Sequence, residues 1–123
     1  GLQDTVVFTG FRSDVPLVMK AGMDMFILPS LREGMPLVAV EAQAAGLKCF
    51  LSDIIAEETD VVPDAVERLG LTDPLSHWAD RILACADKLQ PGNDKQMDFM
   101  EKSPFDIVNS IAGLISIYTA DNM

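Results

Sequence analysis

Two carboxylates stand eight positions apart in the segment FILPSLREGMPLVAVEAQAAG, which covers Phe26–Gly46. Glu33 lies in a polar loop that follows an apolar run, and Glu41 interrupts the apolar segment that comes next. An ionised carboxylate only accepts hydrogen bonds, so a pair of them suits a ligand that carries several hydroxyl groups. The alternative is that Glu33 is a surface loop acid and that Glu41 faces solvent, because acidic side chains are mostly exposed.

The residues between the two glutamates form a candidate anion site. Pro36 suits the first turn of a helix and Gly46 the position just after its end, which predicts a helix over residues 36–45. The free N–H groups of a first helical turn favour a phosphate or another oxyanion. Gly34 lets the backbone approach a ligand closely. Because proline has no N–H, the possible donors are Gly34, Met35, Leu37 and Val38.

The elements that must position this loop alternate between strand and helix. Continuous apolar runs predict strands at Val6–Phe8, Met25–Leu28, Lys48–Leu51 and Val66–Leu69. Asp14 and Pro16 suit the start of a helix that runs to Lys20 and closes at Gly22. Strands without polar alternation, separated by helices, are typical of a parallel sheet covered on both faces. In such sheets ligands bind beyond the carboxyl ends of the strands, where Pro29-Ser30 leads into the Glu33 loop.

The last third of the chain is predicted to be helical. A helix opens at Asp73-Pro74 and carries an apolar face of Leu75, Trp78, Ile82, Leu83, Ala86 and Leu89. The polar segment Gln90–Asp98 is predicted to be a loop. Ser103-Pro104 opens a final helix with an apolar stripe of Ile107, Val108, Ile111, Leu114, Ile115 and Tyr118. The fold class is therefore α/β: a partial Rossmann-like parallel sheet of three to four strands flanked by helices, with a helical carboxyl-terminal third.

Composition excludes several classes of partner. The 123 residues are 49% hydrophobic, with a formal net charge of −10 that argues against nucleic acid or an anionic membrane surface. No apolar stretch approaches the ~18 residues that a membrane span needs. Cys49 and Cys85 are predicted to be buried thiols of a reducing compartment, with a disulfide between them left open. The acids around Asp53–Asp64 are predicted to form a solvated loop, and no metal-ligand spacing is evident.

Several segments together resemble the carboxyl-terminal domain of family 4 glycosyltransferases, which are retaining enzymes of the two-Rossmann-domain GT-B architecture. They are VVFTGFRSDVP, MDMFILPSLREGMPLVAVEAQAAGLKCFLSD, HWADRILA and PFDIVNSIAGLISIY, which cover nearly the whole chain. The likeness is strongest to bacterial members that build capsular polysaccharides and exopolysaccharides. Glu33 and Glu41, placed just after Pro29-Ser30, match the E-x7-E pattern of this family, and that match favours the ligand interpretation over the surface one.

The resemblance implies a role for each matching residue. Glu41 would accept hydrogen bonds from the ribose of a nucleotide-sugar donor, and Glu33 would contact the transferred sugar near the reacting centre. Backbone amides of the loop formed by Gly34, Met35, Pro36 and Leu37 would face the sugar and the diphosphate. The segment of Gly10, Phe11 and Arg12 would border the base. The implied donor is a UDP-sugar, the implied transfer retains configuration, and no metal or other cofactor is expected.

The resemblance also implies that residues 1–123 are one partial domain, the donor-binding part of a two-domain enzyme. The chain starts at Gly1, and no residue matches the Arg/Lys pair with which the family neutralises the diphosphate. The expected partner is an amino-terminal acceptor domain of the same enzyme, working in the cytoplasm at the inner face of the membrane. We expect this piece to be inactive alone, with weak donor binding.

Two further expectations follow from the residues that are present. Two strands of the family's sheet are missing between Val6–Phe8 and Met25–Leu28, so this chain must form a new pairing or expose a sheet edge. Ser30 could touch phosphate, but a structural role in the loop is preferred. The rival hypothesis for the whole chain is a non-catalytic α/β interaction module, or a degenerate transferase domain, that binds no nucleotide at the Gly34 loop.

Overall fold

Parallel strands and covering helices follow one another in the order that the sequence predicts. A computed structural model describes residues 1–86 and 95–120. The strands are β1 (Met25–Leu28), β2 (Lys48–Ser52) and β3 (Val66–Leu69). The helices are α1 (Val15–Gly22), α2 (Leu37–Ala44), α3 (Leu75–Ala86), α4 (Lys95–Lys102) and α5 (Ile107–Ala120), with a short 3-10 helix at Glu57–Thr59. The predicted α/β class is confirmed, with a sheet of three strands and a helical carboxyl-terminal part.

The sheet has the order β1-β2-β3, and both pairs of strands are parallel. In the central strand β2, Cys49 and Leu51 point to one face of the sheet and Phe50 to the other, as the two-residue period of a strand requires. The first two pack in a core cluster with residues of α1 and α2, whereas Phe50 packs with Leu69 and Trp78. Helices on both faces therefore bury Cys49, Phe50 and Leu51 of β2, which explains why the centre of this strand is apolar.

Helix α2 carries the predicted site, and its limits agree with the prediction to within one residue. Its end is fixed by Gly46, whose φ of 85° is readily accepted only by glycine. The N–H of Gly46 donates to Gln43 O and that of Leu47 to Ala42 O, the two hydrogen bonds of a Schellman motif. The buried residues of the helix are Ala39, Val40, Ala42 and Gln43.

The amino-terminal prediction is wrong. Val6–Phe8 forms no strand in the structure, and Phe8 is 95% exposed. The N–H of Val6 donates to Leu2 O in a local turn, so it is not available to a neighbouring strand. Within the described residues β1 pairs with β2 alone, which leaves its other edge open and Ile27 45% exposed. Of the two outcomes expected for the missing strands, exposure of a sheet edge is the one observed.

The prediction of a final helix is confirmed, but its start and the preceding loop differ from the structure. Residues 95–98, predicted to be loop, belong to α4, while residues 87–94, including the predicted loop start and Leu89, lie outside the described residues. Helix α5 begins at Ile107 and not at Ser103-Pro104, because Asp106 Oδ1 accepts hydrogen bonds from the N–H groups of Val108 and Asn109. No residue of α5 is buried, so its apolar stripe stays largely exposed in the described part of the chain.

Candidate functional site

The carboxyl ends of β1 and β2 meet at the loop that holds Glu33. The hydroxyl of Ser30 donates a hydrogen bond of 2.6 Å to Glu33 Oε1. The carbonyl oxygen of Ser30 accepts a hydrogen bond of 2.7 Å from the hydroxyl of Ser52, the fully buried last residue of β2. Ser30 therefore has the structural role that the sequence favours, and its partner is the first of the two predicted glutamates.

The first turn of α2 follows this loop and offers backbone donors. Pro36 occupies the N-cap position and forms no side-chain capping bond. The N–H groups of Leu37 and Val38 have no acceptor inside the helix, because the first turn of any α-helix lacks one. Gly34 lies beside them in an exposed segment, and a Cβ atom placed on it would meet no atom within 4 Å. The fold itself does not require glycine at that position, so its value would lie in close approach to a ligand.

Glu41 lies on the exposed side of α2, whereas Ala39 and Ala42 face the core. Its side chain lines two neighbouring hollows. One, of about 250 Å³, is shared with Pro16 and Lys20 of α1, and the other, of about 270 Å³, with Met100 and Phe105. Glu33 lines neither hollow. The structure thus places the two glutamates at one helix and its leading loop, and a ligand that both of them hold stays a prediction.

The third predicted part of the site is the turn before α1. Gly10 adopts a φ of 64°, a left-handed conformation that favours glycine. Phe11 is fully exposed, at 101% of its reference surface. The guanidinium of Arg12 donates to both carboxylate oxygens of Asp14, at 2.8 and 2.6 Å. Arg12 is therefore held by Asp14. The neighbouring Phe11 side chain is open to solvent and is available for stacking on a base.

Sequence reasoning missed Gln43, the residue that attaches α2 to the loop that follows β2. Gln43 is fully buried, and its amide donates to the carbonyls of Ala39 (3.0 Å) and Thr59 (2.8 Å). Its side-chain oxygen accepts from the N–H groups of Val61 and Val62, at 2.9 and 3.1 Å. The signal was present, since residues 39, 42 and 43 share one helical face and a glutamine there must be buried with partners.

Arg68 of β3 fixes the same β2–β3 loop from the other side. It donates to the carbonyls of Ile55 and Ala56 and forms a two-point ion pair with Asp60. The hydrogen bonds that Arg68 donates to the Asp60 carboxylate, and the negative charge of that carboxylate, raise the pKa of Arg68. The acidic segment predicted to be a solvated loop is therefore mostly exposed, but Asp60 within it has a defined structural partner.

The other residues of the described ranges that could ligate a metal or act as nucleophiles are two cysteines, one histidine and scattered acids. In residues 1–86 and 95–120, no group of three or more His, Cys, Asp or Glu side chains could hold a metal ion. Cys49 and Cys85 are both free thiols, so the disulfide that the sequence left open is not formed. Burial raises the pKa of the Cys49 thiol to about 12. His77 is half-exposed on α3, 3.9 Å from Asp73.

Comparison with known proteins identifies the family. The protein-family model described as "Glycosyl transferases group 1" matches residues 1–86. These include every element from α1 to α3 and all of the predicted site residues. The chain belongs to this family. The glycosyltransferase match ends before α4 and α5, so the helical carboxyl-terminal part lies outside it.

Two curated glycosyltransferases are similar to the chain. It is 35% identical over 117 residues to the Bacillus subtilis (strain 168) protein named "Putative glycosyltransferase EpsF", an alignment that covers 95% of this chain and 30% of the relative. It is 49% identical over 53 residues to the Escherichia coli "UDP-Gal:alpha-D-GlcNAc-diphosphoundecaprenol alpha-1,3-galactosyltransferase", covering 43% of this chain and 13% of the relative. The chain thus spans less than a third of the length of either relative. No solved structure matches it.

The described helices were compared with the length and hydropathy that a membrane span requires. None of the helices in residues 1–86 and 95–120 is both long enough and apolar enough to cross a bilayer.

Proposed function

We propose that this chain is the donor-binding carboxyl-terminal domain of a retaining glycosyltransferase that uses a UDP-linked hexose. The observation that carries the proposal is the uncapped first turn of α2, which directly follows the Glu33 loop at the carboxyl edge of the sheet. That is where open parallel sheets bind their ligands, and a first helical turn with free N–H groups favours a diphosphate. The family match supports glycosyl transfer as the reaction class.

The proposed chemistry assigns each residue a task at one step. The loop amides of Gly34, Met35 and Leu37 bind the diphosphate and stabilise the negative charge that grows on it as the glycosidic bond breaks. The ionised carboxylate of Glu33 accepts hydrogen bonds from the hexose hydroxyls and stabilises the positive charge that builds on the sugar ring. Glu41 accepts from the ribose hydroxyls, and Phe11 and Arg12 border the base. The acceptor hydroxyl attacks the anomeric carbon on the face from which the diphosphate leaves and passes its proton to the leaving diphosphate oxygen. The new glycosidic bond thus replaces the bond to UDP with the same configuration.

The donor and acceptor classes are inferred from the relatives' names. The galactosyltransferase is named for a UDP-galactose donor and a diphosphoundecaprenol-linked acceptor. For this chain we propose a UDP-hexose and a polysaccharide or lipid-linked acceptor, with the transfer on the cytoplasmic side of the membrane and without a metal ion. The acceptor would be held mainly by an amino-terminal domain of the same enzyme.

Exposed surfaces of the described residues support the need for such a further domain. Helix α5 has no buried residue although it carries no charged side chain, and β1 has an open edge. Apolar surface of this kind is normally covered in a functional protein. We therefore propose that the activity belongs to the whole enzyme and that this domain alone binds the donor weakly and transfers nothing.

Titration of the ¹⁵N-labelled chain with UDP, followed by two-dimensional NMR, tests the proposal because this method detects even millimolar affinities. UDP should shift the amide signals of Gly34, Leu37 and Val38, and Glu41→Gln should weaken binding roughly tenfold by loss of a charged hydrogen-bond acceptor. Glu58→Gln is the matched control, since Glu58 is exposed, outside the site, and loses the same charge. Equal affinities of wild type and Glu41→Gln would remove the ribose contact, and no binding by wild type would favour the non-catalytic module.

A further inference from the structure

The Glu33 side chain is exposed, yet a side-chain hydrogen bond fixes its orientation. All five residues 31–35 are exposed, so nothing packs around the Glu33 side chain to select one of its rotamers. The hydrogen bond from the Ser30 hydroxyl to Glu33 Oε1, at 2.6 Å, provides that selection. It uses one carboxylate oxygen and leaves Oε2 to accept hydrogen bonds from another group.

Ser30 is itself held from the sheet interior. Its carbonyl accepts the Ser52 hydroxyl at 2.7 Å, and Ser52 is completely buried at the end of β2. Burial removes water as a competitor for this bond, so the position of Ser30 is tied to the central strand of the sheet. The sequence of contacts therefore runs from the rigid core, through the Ser30 backbone and hydroxyl, to the Glu33 carboxylate.

We propose that Ser30 is a positioning residue for donor recognition, anchored by Ser52, which directs Glu33 Oε2 toward the hydroxyls of the transferred hexose. This inference rests on the proposed function, because it needs a sugar at Glu33. A binding group that is already oriented loses less conformational freedom when the ligand arrives, which strengthens binding without any added contact. The effect should be specific to the sugar, because Ser30 donates its hydroxyl hydrogen bond to Glu33 and the proposed function assigns Glu33 to the hexose and not to the nucleotide.

The test compares two ligands on the same chain. UDP and UDP-galactose are titrated separately into the ¹⁵N-labelled wild type, Ser30→Ala and Ser30→Thr. Ser30→Ala should weaken UDP-galactose binding roughly three- to tenfold, as for one lost hydrogen bond, and leave UDP binding within about twofold. Ser30→Thr keeps the hydroxyl and should keep the wild-type affinity for both ligands. A purely structural role would weaken both ligands in Ser30→Ala or neither.

A measurement without ligand keeps the inference testable if a variant binds poorly. Three-bond couplings of Glu33 should show one dominant χ1 rotamer in wild type and averaging in Ser30→Ala, with a smaller change in Ser52→Ala. Equal UDP-galactose affinity in wild type and Ser30→Ala, or an averaged Glu33 rotamer in wild type, would overturn the positioning role. Wild type that binds UDP but gains nothing from the galactose would also overturn it, whereas wild type that binds neither ligand overturns the proposed function itself.

Discussion

Replacement of Gln43 by methionine should remove most of the attachment between α2 and the loop that follows β2. Methionine has nearly the length and flexibility of glutamine, so it fills the same volume but forms none of the four hydrogen bonds. Those bonds join the Gln43 side chain to the Ala39 and Thr59 carbonyls and to the N–H groups of Val61 and Val62. The substitution therefore isolates hydrogen bonding from packing.

The expected decrease in the free energy of unfolding depends on which of the Gln43 hydrogen-bond partners water can reach once the glutamine is replaced. Thr59 is fully buried, so its carbonyl is left without a donor at a cost of about 1–3 kcal/mol. Val61 and Val62 are only half-buried, and water can replace the lost acceptor at roughly 0.5 kcal/mol each. The Ala39 carbonyl lies within α2, where a backbone N–H four residues on can still donate to it. Together these losses predict about 2–4 kcal/mol, a large share of the roughly 5–15 kcal/mol typical of a domain.

Urea unfolding followed by circular dichroism measures this difference, and Glu41→Gln is the matched control on the same helix. Because Glu41 is exposed, its substitution should change the free energy of unfolding by less than about 0.5 kcal/mol. Amide hydrogen exchange gives a local reading, since the Val61 and Val62 amides should exchange faster in Gln43→Met. A loss below about 1 kcal/mol, with unchanged exchange at these two amides, would refute the argument.

Three further predictions address the loop, a pH effect and the thiols. Gly34→Ala should leave the free energy of unfolding within about 0.5 kcal/mol, because no atom contacts the new methyl group, and should weaken UDP-galactose binding in the NMR titration. The hydrogen bond from Arg81 holds the pKa of Glu67 below its ordinary value of 4.5, so the pair stabilises the fold above pH 4.5 and loses that effect as the pH falls through the lowered pKa. Glu67→Gln should therefore be less stable than wild type in urea at pH 7 and equal to it at strongly acidic pH, and a difference that is constant with pH would contradict this. Iodoacetamide should label half-buried Cys85 and spare Cys49, whose pKa is about 12, until urea unfolds the chain, and Cys85→Ser should abolish the labelling of the folded protein.

The parts of the fold that sequence reasoning predicted correctly are those set by short-range chemistry. Helix α2 begins after Pro36 and stops shortly before Gly46, two residues whose backbone preferences act without help from distant parts of the chain. Residues 49–51 of strand β2 are apolar because the strand is central and both of its neighbours lie in the same chain. Local signals and tertiary environment agree in these elements, so the prediction was confirmed.

The wrong predictions fall where burial depends on a partner that sequence patterns cannot supply. Val6–Phe8 has strand-forming residues, but a strand exists only when a neighbour accepts and donates its hydrogen bonds. The stripe of α5 was predicted from a helical period, and the period is correct, since the segment is a helix. Which surface covers that stripe is a separate question, because periodicity reports the face of an element and not what packs on it.

Candidate site residues were predictable as types but not as contacts. Glu33 and Glu41 were predicted from their spacing together with the family resemblance, whereas the Ser52–Ser30–Glu33 series of hydrogen bonds joins residues that lie up to 22 positions apart in the chain. Such pairings follow from the parallel alignment of β1 and β2, which brings their carboxyl ends to one edge. Once that alignment is known, the serines at the ends of β1 and β2 can be predicted to form hydrogen bonds that hold the Glu33 loop.

The exposed position of Glu41 explains why a carboxylate is tolerated in so apolar a segment. The helix packs on the sheet with Ala39 and Ala42, whose small side chains let α2 lie close to the strands. Its opposite side carries Glu41 between hollows bordered by Lys20 and by Met100. An ionised group there remains in contact with water in the free protein, and a ligand that fills either hollow would exchange that water for its own hydroxyls. The Glu41→Gln titration therefore separates a solvent-facing acid from a ribose acceptor, because only the second loses affinity for UDP.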